Sequence, residues 1–161
     1  NNEIGVPLTI LGLTTGGHSV WLWLKNFWRA LKLIILPNSY PETLILEMGA
    51  DKPGDIKYLV DFVPVKIGVV TAIGQFPSHI EFFPEREALI NEKANLVKYL
   101  PLDGLAILNY DDLSVRMMRE LVPSGVRIIT YGFGQGAQLR ISHYELKSED
   151  LAKGEFGVNF K

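Results

Sequence analysis

Four chemically distinctive residues follow short apolar runs in this 161-residue sequence. Glu47 ends the run TLILE, and the loop that ends at His79 follows the run 66–73. Asn109 ends the run LAILN, and Tyr131 ends the run VRIITY. If these runs are parallel strands, their carboxyl ends share one edge of the sheet, which is where such sheets bind ligands. The pattern therefore predicts a ligand site at this edge.

Glu47 and His79 are the candidate metal ligands. Carboxylate oxygen suits Mg²⁺, and a neutral imidazole can add a further ligand. In the alternative interpretation, Glu47 caps a neighbouring helix and His79 is a partly exposed loop residue, and the residues by themselves favour this alternative. His18 and His143 follow no such strand end, and we interpret both as surface residues.

Lys93 is the candidate nucleophile. It lies within the helical pattern REALINEKANLVKYL, three positions from both Ile90 and Leu96, and so borders the apolar face. Its stem could cover apolar surface while the amine reaches water. Alternatively, desolvation could lower the pKa of the amine and leave it neutral and nucleophilic. The pattern alone favours the first interpretation.

Apolar runs rich in β-branched residues alternate with helical patterns. The predicted strands are Thr43–Met48, Lys66–Ile73, Leu105–Asn109 and Val126–Tyr131. The predicted helices are Asp55–Phe62, Pro84–Leu100 and Asp111–Val122, the last capped by Asp111-Asp112. Short connections predict an α/β fold with a mostly parallel sheet flanked by helices, its strands buried on both faces. Alternation in 137–147 and 154–161 predicts a C-terminal antiparallel hairpin.

The segment 19–36 contains all three tryptophans. Lys25, Arg29 and Lys32 are spaced four and three apart and so share one helical face. Each would cost roughly 2.5–3.5 kcal/mol at the centre of a bilayer, so Val20–Leu36 is an amphipathic helix and not a membrane span. Its apolar face could pack on a further domain or lie in the membrane interface as a peripheral contact. Packing is the favoured interpretation.

Composition excludes several classes of protein. The 16 basic and 18 acidic residues give a net charge of −2, and no basic run could neutralise a duplex, so nucleic acid is not an expected partner. The absence of cysteine excludes disulfides, iron–sulfur clusters and thiolate zinc sites. The first residues, NNEIG, contain neither an initiator methionine nor the charged and apolar regions of a signal peptide. We therefore expect the chain to begin within a larger protein.

Six motifs occur in order along nearly the whole chain: NNEIGVPLTIL, LEMGADKPGDI, TAIG followed by SHIEFF, EK within a helix, ILNYDD, and TYGFG. This order resembles the central ATP-binding domain of the Mur ligases. The first two motifs resemble the branch that adds D-alanyl-D-alanine to UDP-N-acetylmuramoyl-tripeptide. The resemblance implies that residues 1–161 are part of such a domain, with an incomplete P-loop NTPase-like fold.

The resemblance also implies roles for the candidate residues. Glu47 matches a glutamate that helps to hold the magnesium bridging the ATP phosphates, and His79 matches a histidine that binds a second magnesium. Lys93, fourteen residues after His79, matches a lysine that reacts with CO₂. The resulting carbamate is a carboxylate-like ligand, which explains how a lysine can serve a magnesium site.

The implied substrate contacts lie at other positions. Asn109 matches an asparagine that binds the adenine of ATP, and Asn1 and Asn2 match a pair near the uridylyl-muramoyl substrate. The sequence contains no G-x-x-x-x-G-K-[ST] phosphate loop, which in the family precedes NNEIG. The family's dipeptide-binding domain would follow Lys161. We therefore expect the 161-residue chain alone neither to hydrolyse ATP nor to ligate.

The implied function is that of a cytoplasmic ATP-dependent amide ligase of peptidoglycan synthesis. The substrate carboxylate would attack the γ-phosphate of ATP to give an acyl phosphate and ADP, and the amine of D-alanyl-D-alanine would then displace phosphate. One alternative is a sister ligase of the folylpolyglutamate or cyanophycin synthetase type, which lacks NNEIGVP. The other is a non-catalytic nucleotide-binding or scaffold domain.

Overall fold

The computed structural model of the chain describes residues 3–36, 39–74, 80–142, 145–146 and 158–159. The helices are α1 (Gly5–Ile10), α2 (Val20–Ile35), α3 (Asp55–Phe62), α4 (Arg86–Lys98) and α5 (Leu113–Met117), with 3₁₀ turns at Ile80–Phe82 and Met118–Leu121. The strands are β1 (Ile67–Val70), β2 (Leu105–Asn109), β3 (Arg127–Gly132), β4 (Leu139–Arg140), β5 (Glu145–Leu146) and β6 (Val158–Asn159).

Strands β1 to β4 form one parallel sheet in the order β1-β2-β3-β4. Ile67 pairs with Leu105, and Leu105 pairs with Arg127, so the first three strands begin in register. Helix α4 connects β1 to β2, and α5 connects β2 to β3. The predicted α/β class with a mostly parallel sheet is confirmed.

The tail is only partly as predicted. Glu145 pairs with Asn159 in an antiparallel ladder between β5 and β6, which confirms antiparallel pairing in the tail. Leu139 and Arg140, in contrast, do not belong to that hairpin, because β4 runs parallel to β3. Two hydrogen bonds hold Gln138, the residue before β4, beside Thr130 of β3. The Thr130 N–H donates to Gln138 Oε1 (3.0 Å), and the Gln138 N–H donates to Thr130 Oγ1 (3.1 Å).

One face of the sheet carries the main core. Side chains of α4 and α5 pack there against β1 and β2; the buried members are Val70, Ile73, Ala94, Val97, Leu100, Ala106, Leu108, Val115, Met118 and Val126. On the opposite face of β1, Ile67 and Val69 are exposed. The prediction that all strands are buried on both faces is therefore wrong for β1, because apolar composition alone does not supply an element to cover the second face.

The predicted strand Thr43–Met48 is absent. This segment has no regular secondary structure, and the Ile45 side chain is 92% exposed. A strand requires a neighbour that accepts its backbone hydrogen bonds, and no described strand pairs with this run. The helices agree better with the sequence: Asp55–Phe62 is confirmed, and α4 and α5 lie within their predicted ranges.

Helix α3 is capped by a side chain of α4. Its N-cap residue, Gly54, has φ +96° and no side chain to cap the helix. Glu92 replaces that cap: Oε1 accepts hydrogen bonds from the N–H groups of Ile56 (2.7 Å) and Lys57 (3.1 Å), and Oε2 accepts one from Gly54 (3.0 Å). These bonds and the positive end of the helix dipole offset the cost of burying the carboxylate.

Replacement of Glu92 by alanine tests this cap. The change leaves three backbone N–H groups without their acceptor, so we expect local stability to fall by about 2–4 kcal/mol. Hydrogen–deuterium exchange of the full-length protein should show the amides of α3 exchanging at least about tenfold faster. Glu87→Ala, on an exposed position of the same helix, is the matched control and should leave α3 unchanged. Equal exchange in the two variants would contradict the capping role.

Candidate functional site

The carboxyl ends of β1, β2 and β3 converge at one edge of the sheet, as their parallel register requires. Asn109 lies between the first two ends. Its side-chain Nδ2 donates to the carbonyl oxygen of Thr71 (2.7 Å), and its Oδ1 accepts from the Asp111 N–H (2.9 Å). The Tyr110 N–H donates to the Tyr131 carbonyl (2.8 Å), which joins the third end to the other two.

Asp112 holds the loop after β1 against the start of α5. Its Oδ2 accepts hydrogen bonds from the N–H groups of Ile73 (2.7 Å) and Gly74 (2.9 Å), and its Oδ1 accepts from the Val115 N–H (3.1 Å). Burial by itself would raise the pKa of Asp112, but the backbone N–H groups, including that of Ser114, outweigh it and hold the pKa below its usual value. The carboxylate is therefore fixed in its charged form.

Arg86, the first residue of α4, holds the same loop from the other side. One guanidinium nitrogen, Nη2, donates both to the Gly74 carbonyl (2.8 Å) and to Ser114 Oγ (2.9 Å). Gly74 has φ +72°, a conformation that favours glycine. Asp112 and Arg86 thus fix Gly74, the last described residue before the segment 75–79. His79 belongs to that segment and lies outside the described residues.

Asp111 anchors the loop after β3. Its Oδ2 accepts from the Phe133 N–H (2.7 Å), and its Oδ1 accepts from the Gly134 N–H (2.9 Å). Gly132 has φ +156°, and a Cβ atom there would lie 2.6 Å from Asp111 Oδ2, so the close approach requires glycine. Arg116 stacks over the Tyr110 ring at 4.9 Å, on the same short segment. The ILNYDD motif therefore organises all three loops.

Lys93 lies half-buried on α4 and faces the charge of Asp112. Desolvation by burial lowers the pKa of the Lys93 amine, and the negative charge of Asp112 opposes that change without cancelling it. The neutral, nucleophilic form of the amine is therefore more accessible than on an exposed lysine. This direction agrees with the functional alternative that the sequence left open for this residue.

Glu47 lies on a different segment. Its side chain is exposed and makes no hydrogen bond or ion pair with any residue that the structure describes. The neighbouring Met48 and Ala50 pack in a small cluster with Ile56, Phe83 and Leu89, which attaches this segment to α3 and α4. Within the described ranges, no three acidic or histidine side chains group as a metal site.

The predicted pair Asn1 and Asn2 lies outside the described residues. The next residue, Glu3, lines a concavity of about 320 Å³ together with Lys52, Asp55 and other residues of the α3 N-terminus. A second concavity, of about 330 Å³, lies between α3 and α4 at the amino-terminal ends of the strands, away from Asn109.

The sequence pattern predicts that Asp111 and Asp112 together cap a helix, which is confirmed for Asp112, and it misses the loop contacts of Arg86 and Asp111. A signal was present for the two aspartates, since paired acids two and three residues after a strand-end asparagine can reach two adjacent loops. For Arg86 there was none, because its partners, Gly74 and Ser114, are 12 and 28 positions away.

The fold and this edge define an α/β domain that presents its loops at the carboxyl ends of parallel strands. Residues 30–160 match the family model of the Mur ligase middle domain. The chain is 32% identical, over 82% of its length and 20% of the relative's, to the UDP-N-acetylmuramoyl-tripeptide–D-alanyl-D-alanine ligase of Mycobacterium leprae. For the enzyme of the same name from Bacillus subtilis the identity is 24%, over 99% of this chain and 27% of the relative.

A solved structure has a similar fold. The crystal structure of MurF from Acinetobacter baumannii superposes with a TM-score of 0.59 at 22% identity, over 73% of this chain and 24% of that one. The chain belongs to the Mur ligase family, and the matched region is the middle domain of that family. It spans about a fifth to a quarter of the length of these relatives.

Replacement of Asp112 by alanine tests the strand-end network. The variant of the full-length protein should lose about 1–2 kcal/mol of stability at pH 7, a loss moderated by solvent around the carboxylate. Because the folded pKa lies below the usual 3.8, the ionised group stabilises the fold above that pH, and its contribution disappears as the pH falls through the lower value. Wild type and variant should therefore converge in acid.

Urea unfolding between pH 7 and pH 3 measures the difference. Asp103→Ala is the matched control, because Asp103 lies at the surface in an exposed ion pair with Lys66. That variant should change stability little at either pH. A difference between wild type and Asp112→Ala that stays constant with pH would contradict a role for the charged carboxylate.

Proposed function

We propose that the intact protein is a cytoplasmic ATP-dependent ligase that adds D-alanyl-D-alanine to UDP-N-acetylmuramoyl-tripeptide in peptidoglycan synthesis. The observation that carries this proposal is membership of the Mur ligase family together with 32% identity to a relative with that name. The motifs NNEIGVPLTIL and LEMGADKPGDI, which resemble the same branch, support it.

Asn109 is the proposed contact to the adenine of ATP. A carboxamide offers two N–H hydrogens and two oxygen lone pairs. Its bonds to Thr71 and Asp111 use one of these hydrogens and one of these lone pairs. The remaining hydrogen and lone pair match the donor–acceptor edge of an adenine base. The bond to Thr71 also fixes the orientation of the amide, so no torsional freedom is lost when the base binds.

Glu47, His79 and Lys93 are the proposed magnesium ligands. The donor chemistry fits: Glu47 is an exposed carboxylate, and the amine of Lys93 has a lowered pKa. A neutral amine adds to CO₂ and releases one proton, which converts the lysine into an anionic carbamate with oxygen donors. Bound magnesium would offset the negative charge that collects on the ATP phosphates and the substrate carboxylate.

The other residues position the reacting groups. Asn1 and Asn2 are the proposed contacts to the uridylyl-muramoyl substrate, and Asp112 and Arg86 position the loop that precedes His79. In this arrangement the peptide carboxylate and the γ-phosphate would meet beside the carboxyl ends of β1 and β2. Fixing the loops before the substrates bind reduces the entropy lost at the transition state.

A ligation assay with the full-length protein tests the function. We expect phosphate release from ATP only when both UDP-N-acetylmuramoyl-tripeptide and D-alanyl-D-alanine are present, with a product whose mass equals their sum minus water. Turnover with a folate and glutamate, or with a cyanophycin primer and its amino acids, would identify a sister ligase instead. Nucleotide binding without turnover on any of these substrates would identify a scaffold domain.

Lys93→Arg tests the carbamate. Arginine keeps the positive charge and cannot form a carbamate, so a metal site would face a cation in place of an anion. We expect kcat to fall on the order of 10²-fold or more. In wild type, ¹³C-bicarbonate should give a carbamate carbon resonance that the variant lacks. Lys98→Arg, on the last turn of the same helix, is the control and should keep the wild-type kcat and the carbamate resonance. A near-normal kcat in Lys93→Arg would contradict the proposal.

A further inference from the structure

Among the residues that the structure describes, side-chain hydrogen bonds attach one side of helix α2 to the chain that precedes it. Ser19 caps the helix by accepting a hydrogen bond from the Leu22 N–H (3.4 Å). The buried Asn26 donates from Nδ2 to the Thr14 carbonyl (2.7 Å), and the Trp23 indole donates to the Gly17 carbonyl (3.1 Å). These contacts fix which side of α2 faces the protein, and the side opposite Asn26 faces away from it.

The outward side of α2 is apolar and exposed. Six large apolar side chains are between 60% and 81% exposed: Val20, Trp21, Phe27, Trp28, Ile34 and Ile35. At 100° per residue they fall within an arc of about 140°. We call this arc the apolar face of α2. Monomeric proteins rarely leave so continuous an apolar surface in water, which indicates a binding surface.

The charges of α2 differ from those of the rest of the chain. The helix carries Lys25, Arg29 and Lys32 and no acidic residue, whereas thirteen basic and eighteen acidic residues lie outside it, a net charge of −5. The three cations are exposed and adjoin one border of the apolar face. The surface that binds α2 should therefore be apolar at its centre and anionic beside it.

The tryptophans lie at the borders of the apolar face. Trp21 and Trp28 lie between its aliphatic centre and the cations, and Trp23 lies at the opposite border, beside Asn26. Protein interfaces place tryptophan at their centre, where it is fully desolvated. Membrane interfaces place it at headgroup depth, between the acyl chains and water, because the ring is apolar and its N–H is polar.

We propose that α2 binds in the plane of an anionic lipid surface, with the apolar face inserted among the acyl chains and the three cations at the headgroups. Within the part of the chain that the structure describes, no helix has the length and hydropathy to span a bilayer, which agrees with in-plane binding. The partner of α2 is thus an apolar layer bordered by negatively charged headgroups. This proposal does not depend on the ligase activity.

Vesicle co-sedimentation of the full-length protein tests the proposal. Binding should increase steeply as phosphatidylserine replaces phosphatidylcholine and should weaken with salt. Each cation contributes about 1 kcal/mol near an anionic surface, so changing Lys25, Arg29 and Lys32 to Gln should weaken binding on the order of 100-fold. Phe27→Ser with Ile34→Ser should also abolish binding, because it removes apolar contact and leaves the charge unchanged.

The matched control changes Lys66, Arg119 and Arg140 to Gln, which alters the net charge equally at exposed positions outside α2. It should bind vesicles like wild type. Absence of binding, equal binding to neutral vesicles, or an equal loss in the control would overturn the proposal. Hydrogen exchange of the α2 amides that does not change when anionic vesicles are added would assign the apolar face to a protein contact and would overturn it as well.

Discussion

The parallel pairing of β1, β2 and β3 is the constraint on which the candidate site depends. Because these strands run in the same direction in one register, the loops after Val70, Asn109 and Gly132 must emerge together. Hydrogen bonding then links them: Asn109 bonds the first loop, Asp111 the third, and Asp112 joins the first loop to α5. Three residues of ILNYDD thereby link chain segments that are distant in sequence.

The same sheet explains the electrostatics of α4. Its inner face packs on β1 through residues such as Ala94 and Val97, and this packing withdraws the neighbouring Glu92 and Lys93 from water. The two charges respond differently. Glu92 accepts hydrogen bonds from three N–H groups at the start of α3, whereas the burial of Lys93 lowers its pKa and the charge of Asp112 opposes that change without cancelling it. One helix thus supplies a structural cap and, at the next position, an amine whose pKa is lowered.

Helix α2 is organised separately: its Asn26 and Trp23 side chains bond to Thr14 and Gly17, in the chain that precedes the helix. A domain of the Mur ligase family therefore carries two surfaces with different physical character in this chain. One is polar, built from backbone and carboxylate hydrogen bonds at the sheet edge. The other, on α2, is apolar and cationic.

Sequence alone determined the elements whose information is local. Strand β2, helices α2 and α3, the Asp112 cap and the family motifs follow from apolar period, capping residues and residue order, which neighbouring positions specify. Features that depend on distant partners became apparent only in the folded chain. Thr43–Met48 lacks a pairing strand, Leu139–Arg140 joins β3, and Gly74 is fixed by Arg86 and Asp112. Such contacts depend on which distant segments become neighbours in the fold, and the pattern of residues along the chain does not specify this.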